Sequence, residues 1–210
     1  MGYSIGFIGV DGVGKSTVID EVMKIYDLHG DHQYMHRHLR PNLLPPLGDI
    51  KFIGKQKKLD GPVVPHSQPA GGKITSLVRL IWLLIDYSIG YYCVVYRFIR
   101  KKKRIVFFDR YLPEILIDPL RFRIAGYYFL RAMMFRFLPR PKYYIILYAN
   151  PQIIISRKKE LSVIEIERQQ ENFRKIFEKY PKTFFIEANK PASELAKIIY
   201  ECIVRHERKD

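Results

Sequence analysis

The residues best suited to chemistry lie near the start of the chain, at positions 9–17, which read GVDGVGKST. This run fits the pattern G-x-x-x-x-G-K-[ST], in which backbone amides cradle phosphates, the lysine reaches the β- and γ-phosphates and the hydroxyl binds Mg²⁺. The run therefore predicts a site for a nucleoside triphosphate and Mg²⁺. The predicted phosphate-binding residues are Gly9, Asp11, Gly12, Val13, Gly14, Lys15, Ser16 and Thr17.

The sequence on either side supplies the strand and helix that such a loop requires. Residues 3–8 are short and largely apolar, as expected of a buried parallel strand. Residues 17–28 place Val18, Val22 and Ile25 at helical spacing. Because the first amides of a helix have no intrahelical partners, we expect them to form a cradle for anions.

A second candidate follows the predicted strand at residues 104–108, where the chain reads RIVFF and continues with Asp109, Arg110 and Tyr111. A carboxylate directly after an apolar strand is typical of the residue that holds Mg²⁺ in phosphate-transferring proteins. Together with the loop, this pattern predicts a metal site formed by Ser16 and Asp109.

These motifs together resemble the thymidylate kinase family of P-loop nucleoside-monophosphate kinases. The resemblance covers nearly the whole chain. Besides the loop with its inner Asp11 and the DRY at 109–111, it includes YYIILYANP, the basic segment at 157–160, an ERQ-type helix from Glu167 and FFIEANKPASEL near the end.

The resemblance implies an ATP-dependent kinase whose catalytic residues are Lys15, Asp11, Asp109, Arg110 and Arg157. A basic lid at 151–165 would close over the transferred group. Since the loop carries no arginine, the stabilising cation would come from this lid, with Lys158 and Lys159 as alternatives to Arg157. The alternative explanation of the lid cations is an ordinary solvated helix end.

The acceptor side departs from the family pattern. The predicted acceptor-binding residues are Arg40, Asp86, Arg110 and Tyr111. Tyr87 follows Asp86 where the family carries an arginine, and residues 112–119 replace its serine-rich segment. The default acceptor is dTMP, and the alternative is a sugar or sugar acid of surface-polysaccharide biosynthesis.

Predicted strands alternate with predicted helices along the chain. This order indicates an α/β, three-layer P-loop NTPase fold, with a five-stranded parallel sheet flanked by helices in a single domain, 1–210. Residues 41–75, rich in proline and glycine, are expected to form an acceptor-side loop or insertion. Residues 74–100 are expected to form a core helix; Asp86 at the centre of its apolar part argues against a membrane span.

The formal net charge of +15 admits several anionic partners. No recognition motif for nucleic acid is present, so we expect ATP and a small anionic acceptor as partners, with peripheral membrane contact and a homodimer as further possibilities. A nucleic-acid- or membrane-associated ATP-binding protein is another alternative. Two widely separated cysteines and no leader-like start suit a cytoplasmic protein.

The sequence offers little support for a zinc site or for a GTPase. Four histidines between positions 29 and 38 raise the question of zinc, but no cysteine or carboxylate pair completes a set at the usual spacing. A GTPase would carry N-K-x-D; the nearest run, beginning at Asn189, ends in Ala192 and lacks the acid.

Overall fold

The computed structural model describes residues 1–30, 32–38, 40–41, 43–45, 72–119 and 122–208. Its strands are β1 (Tyr3–Ile8), β2 (Gln33–His38), β3 (Arg104–Asp109), β4 (Tyr143–Tyr148) and β5 (Thr183–Glu187). Its α-helices are α1 (Lys15–Leu28), α2 (Lys73–Ile85), α3 (Arg97–Ile99), α4 (Pro113–Ile117), α5 (Tyr128–Phe137), α6 (Pro151–Arg157), α7 (Val163–Phe177) and α8 (Ala192–Glu207), and a π-helical segment, Asp86–Tyr96, joins α2 to α3.

The five strands form one parallel sheet in the order β2-β3-β1-β4-β5. The α/β class and the five-stranded parallel sheet flanked by helices are thus confirmed, and they are consistent with a three-layer P-loop NTPase fold. From β1 the chain leaves towards β2, whereas from the neighbouring strand β4 it leaves towards β5. Ligands of open parallel sheets bind at such a divergence, beyond the carboxyl ends of the strands.

Helices cover both faces of this sheet. On one face, Tyr26 of α1 packs edge-on against Phe107 of β3 and against Tyr200 of α8. On the other face, Phe177 of α7 packs on Tyr144 of β4. Successive side chains of a strand point to opposite faces of the sheet, and helices cover both faces. Both sets of side chains are therefore buried, which explains the nearly continuous apolar runs of the central strands.

The chain divides into two compact units. Unit 1, which contains the sheet, comprises Met1–Leu39, Phe98–Tyr111 and Arg140–Asp210. Unit 2 comprises Arg40–Arg97 and Leu112–Pro139. The single-domain assignment stays a prediction, and the loop expected at 41–75 falls mostly on residues 46–71, outside the described residues.

Unit 2 is organised around the helical stretch that begins with α2. The Asp86 carboxylate, fully buried, accepts hydrogen bonds from the Leu43 and Leu44 amides at 2.8 and 3.0 Å and lies 3.4 Å from the Arg40 guanidinium. A Cβ atom at Gly90 would lie 3.0 Å from Asp86 Oδ1 and from Leu43 Cβ, so a larger residue here would require these neighbours to shift by a few tenths of an ångström. The contacts that Asp86 makes are therefore supplied from within unit 2.

Some predicted boundaries change. The segment 151–165, predicted as a basic lid, is not one helix: α6 ends at Arg157, and Ser162 caps the start of α7 by accepting a hydrogen bond from the Glu165 amide. The helical stretch Lys73–Ile99 is long and apolar enough to cross a membrane by length and composition, although one such helix is weak support for a span and a water-soluble protein is compatible with it. Contrary to the core-helix prediction, one of its faces is exposed.

Candidate functional site

The glycine-rich loop between β1 and α1 is held tightly against the end of β4. Gly9 has φ +156°, and a Cβ atom at this position would lie 2.5 Å from the Leu147 carbonyl oxygen. Such a distance is far inside van der Waals contact, so the loop can approach β4 only with glycine here. The loop therefore lies at the divergence of β1 and β4 where ligands of parallel sheets bind.

The loop runs directly into the N-terminus of α1. Gly14 takes the left-handed conformation (φ 101°), and within the described chain no side chain caps this helix end. Ser16 and Thr17, in the first turn, are exposed. The first-turn amides have no partner inside the helix, and the helix dipole adds positive potential, so this end is suited to bind an anion.

Lys15 lies across the loop. Its ammonium donates hydrogen bonds to the carbonyl oxygens of Gly9 and Val10, at 2.6 and 3.0 Å, and lies 3.8 Å from the Asp11 carboxylate. The residue is only 5% exposed. The loop thus fixes a buried positive charge at its own centre, where it would meet the β- and γ-phosphates of a nucleotide.

Asp109 ends β3 beside the loop. The Ser16 hydroxyl donates a 2.9 Å hydrogen bond to Asp109 Oδ2, and His38 Nδ1, paired with Asp109 in the strand register, lies 3.4 Å from the same oxygen. Burial alone would raise the pKa of the Asp109 carboxyl, but contacts with His38, Lys15 and Ser16 lower that pKa to about 2. The group is therefore ionised at neutral pH.

The donor set at Asp109 fits a hard divalent cation. Its second oxygen, Oδ1, is buried and accepts no hydrogen bond from the described residues. A carboxylate together with a hydroxyl is typical of Mg²⁺ sites, where waters and phosphate oxygens complete the shell. Ser16 and Asp109, predicted together as metal-binding residues, thus lie within hydrogen-bonding distance of each other.

Arg110 is held in an uncommon backbone conformation. Its φ is +74°, in the left-handed region that non-glycine residues seldom occupy, while its amide donates a 2.9 Å hydrogen bond to the Phe7 carbonyl. The guanidinium is hydrogen-bonded to the Asp11 carboxylate. The turn after β3 therefore directs a buried cation towards the loop.

The basic segment after α6 also contacts the loop. Arg157 Nη1 donates a 3.3 Å hydrogen bond to the Val13 carbonyl oxygen, and a Cβ atom at Gly12 (φ +85°) would lie 3.0 Å from Lys158 Cβ. Of the three lid cations, Arg157 is thus the one hydrogen-bonded to the loop. Lys158 pairs with Glu160 at 3.1 Å, and Lys159 is exposed.

The acceptor-side candidates divide between the units. In unit 1, Arg110 contacts the loop, whereas the Tyr111 ring is 1% exposed and packs on Phe108. In unit 2, Arg40 and Asp86 form the ion pair described above. Tyr87 stands where the family carries an arginine next to the acid. In this chain the basic partner of Asp86 is Arg40, which comes from a distant segment.

His38 is the site residue that the sequence did not single out. His36 and His38 alternate along β2, but only the pairing of β2 with β3 brings His38 to Asp109. Within the part of the chain that the structure describes, no group of three metal-binding side chains is found.

Comparisons with known proteins leave the family open. No model of a protein family matches the sequence, and no curated protein is significantly similar to it.

Proposed function

We propose that this chain is an ATP-dependent phosphotransferase that moves the γ-phosphate of ATP to a small anionic acceptor. One observation carries the proposal: a lysine, a serine, an aspartate and two arginines converge on a single glycine loop at the carboxyl edge of a parallel sheet. These residues are Lys15, Ser16, Asp109, Arg110 and Arg157.

The roles follow from the charges and their positions. The loop amides and Lys15 would bind the β- and γ-phosphates, and Ser16 and Asp109 would hold Mg²⁺. Bound Mg²⁺ would offset the negative charge of the phosphate oxygens. Arg157, beside the loop, would face the transferred group from the lid side, and cations in such positions supply most of the stabilisation of phosphoryl transfer.

The default acceptor is dTMP, which the resemblance to thymidylate kinases suggests. Arg110 is the cation best placed for the acceptor phosphate, because the backbone after β3 fixes it beside the loop. A cytoplasmic location belongs to the same proposal, since dTMP and ATP are cytoplasmic metabolites.

A sugar or sugar-acid acceptor is the second candidate, and one observation favours it. The Asp86 carboxylate is fully buried, pairs with Arg40 and accepts hydrogen bonds from the amides of Leu43 and Leu44. It is thus engaged within unit 2 and not exposed to a nucleotide. An acceptor that does not depend on Asp86 is then the simpler substrate.

Two measurements test the proposal. Isothermal titration calorimetry with Mg·ATP is expected to show binding, and the absence of binding to folded protein would remove the kinase assignment. Phosphate transfer from labelled ATP to a panel of nucleoside monophosphates, sugars and sugar acids then identifies the acceptor. Turnover on a sugar without turnover on any nucleotide would exclude dTMP.

The remaining alternative is a nucleic-acid- or membrane-associated protein that binds ATP without transferring it. Its support is the net charge of +15. Mg·ATP affinity without transfer to any acceptor, together with salt-sensitive binding to DNA or vesicles, would favour this alternative.

A further inference from the structure

The helical stretch Lys73–Ile99 has an exposed face without a charged side chain in its central part. In the α-helical part, Ile74, Val78, Ile81 and Ile85 recur every three or four positions and therefore lie along one face of α2. Solvated helix faces ordinarily carry polar side chains, so a face of this composition is suited to contact an apolar partner. The exposed residues between Lys73 and Arg97 are Ile74, Val78, Ile81, Ile85, Ile89, Tyr92, Cys93 and Tyr96.

The opposite face of the same stretch is buried. Leu80, Tyr87 and Val95 are fully buried there, and Asp86 holds the Leu43 and Leu44 amides. A helix crossing a bilayer would bring this ion-paired carboxylate to membrane depth at high cost. Only the exposed face is available, which fits a helix that lies along a surface.

A second exposed apolar face belongs to α5 in the same unit. Phe129, Met133 and Phe137 follow each other at intervals of four residues, and they are 82%, 41% and 78% exposed. The segment before α5 is hydrogen-bonded to the first turns of α2, because the Ala125 amide donates to Ser76 Oγ at 2.9 Å. The two faces thus belong to elements that are connected to each other.

The exposed charged side chains on the described surface of unit 2 indicate what kind of partner would bind there. Its described acids, Asp86, Glu114 and Asp118, are 0%, 3% and 6% exposed, so the described surface of the unit carries no exposed carboxylate. Exposed bases begin and end the apolar face at Lys73 and Arg97.

A second copy of the chain does not match this pattern. Parallel or antiparallel pairing of the two apolar faces would bring base next to base at both ends, and the described surface of unit 2 has no exposed carboxylate to offset them. Nucleic acid would attract the basic side chains, but it would not bury the exposed isoleucines. An anionic lipid surface matches both features, because acyl chains accept the apolar side chains and headgroups attract the bases.

We propose that unit 2 binds peripherally to anionic lipid membranes through the exposed apolar faces of Lys73–Ile99 and α5. Tyr92 and Tyr96, at the basic end of the first face, have the amphipathic rings that favour the headgroup region. The ATP site plays no part in the proposal, which stands or falls independently of the kinase assignment.

The test is flotation of the full chain with vesicles, once with pure phosphatidylcholine and once with about a third phosphatidylserine. Wild-type protein is expected to float with the anionic vesicles and to bind neutral ones at least ~10-fold more weakly, since each base near an anionic surface contributes about fivefold in affinity. Raising the salt concentration is expected to release part of the protein.

Two double variants test the two faces separately. Ile81→Gln with Ile89→Gln, and Phe129→Ser with Phe137→Ser, are each expected to lower vesicle affinity at least ~10-fold, because each removes two side chains from the acyl region. Leu28→Gln and Ile164→Gln are the matched controls. Both residues are in unit 1 and are exposed by 82% and 78%, and their substitution is expected to leave binding unchanged.

Cys93 supplies a direct readout. An environment-sensitive fluorophore on Cys93, in a Cys202→Ser background, is expected to shift to the blue with anionic vesicles. Failure of the wild type to float with either vesicle would overturn the proposal. So would full binding by both double variants, or a wild-type dimer that does not bind vesicles and is dissociated by Ile81→Gln with Ile89→Gln.

Discussion

At the scale of single residues, Lys15 is the group on which the proposed chemistry most depends. Its buried ammonium is fixed by two loop carbonyls at 2.6 and 3.0 Å. Lys15→Ala is expected to lower turnover at least ~10²-fold, because an electrostatic clamp on the phosphates is lost. Steady-state rates with the acceptor identified in the panel provide the measurement.

The matched control for Lys15 is Lys24→Ala in the same helix. Lys24 is exposed and pairs only with its neighbour Glu21 on the helix surface, at 2.7 Å. Its substitution is expected to leave turnover within about twofold of the wild type, since exposed pairs contribute little. Equal rates for Lys15→Ala and Lys24→Ala would contradict the role given to Lys15.

Asp109 makes a pH-dependent contribution to stability. Its pKa is about 2 in the folded chain against 3.8 for the unperturbed group, so its contribution is fully present above about pH 4 and is lost as the pH falls towards 2. The wild type is therefore expected to lose roughly 2 kcal/mol more than Asp109→Asn between pH 5 and pH 2. Urea unfolding at each pH measures the difference, and parallel pH profiles would show that the carboxylate is not stabilised as described.

At the scale of elements, the loop and β4 are joined by a contact that only glycine permits. Gly9→Ala would bring its methyl group 2.5 Å from the Leu147 carbonyl. We expect this substitution to lower the free energy of unfolding by at least ~2 kcal/mol and to weaken Mg·ATP binding, because the loop must move away from β4.

Gly72→Ala is the control for Gly9→Ala. Nothing lies within 4 Å of a methyl group at Gly72, and its φ of −56° suits any residue. Thermal unfolding of the two variants is expected to differ clearly, with Gly72→Ala within about 1 kcal/mol of the wild type. Similar unfolding of both variants would show that the loop can relax without cost.

The Arg40–Asp86 pair joins the segment after β2 to the helical stretch of unit 2. Because Asp86 is fully buried, Arg40→Met leaves an uncompensated charge and is expected to cost about 2–4 kcal/mol of stability. In a double-mutant cycle with Asp86→Asn, we expect a coupling of about 1 kcal/mol or more.

The exposed pair of Lys175 and Glu171 in α7 is the comparison for this cycle. Its side chains are 67% and 64% exposed, and its coupling is expected to stay below about 0.5 kcal/mol. Denaturant unfolding of the six variants supplies both cycles. Additive effects of Arg40→Met and Asp86→Asn would show that the two groups do not stabilise each other.

At the scale of the whole molecule, the sequence predicts best what local patterns encode. The loop, its flanking strand and helix, and the strand before Asp109 each have a pattern of their own, and all lie within a few residues of their predicted positions. The alternation of strands and helices likewise predicts the parallel sheet.

What the sequence could not predict depends on neighbours that are distant in the chain. His38 reaches Asp109 only because β2 pairs with β3, and Arg40 reaches Asp86 across a proline-rich segment. Apolar residues all round a helix predict burial on every side, so the exposed face of Lys73–Ile99 was missed. A backbone angle such as that of Arg110 leaves no trace in composition or periodicity.

The strand order also determines when β1 can pair with its neighbours during synthesis of the chain. β1 is central in the sheet, yet both of its neighbours, β3 and β4, are synthesised only after residue 103. At a ribosomal rate of about 5–20 residues per second, the apolar segment Tyr3–Ile8 waits several seconds for its first partner. During that interval it is a target for chaperones, and ribosome-bound chains arrested before β4 are expected to be digested by protease far faster than released, full-length protein.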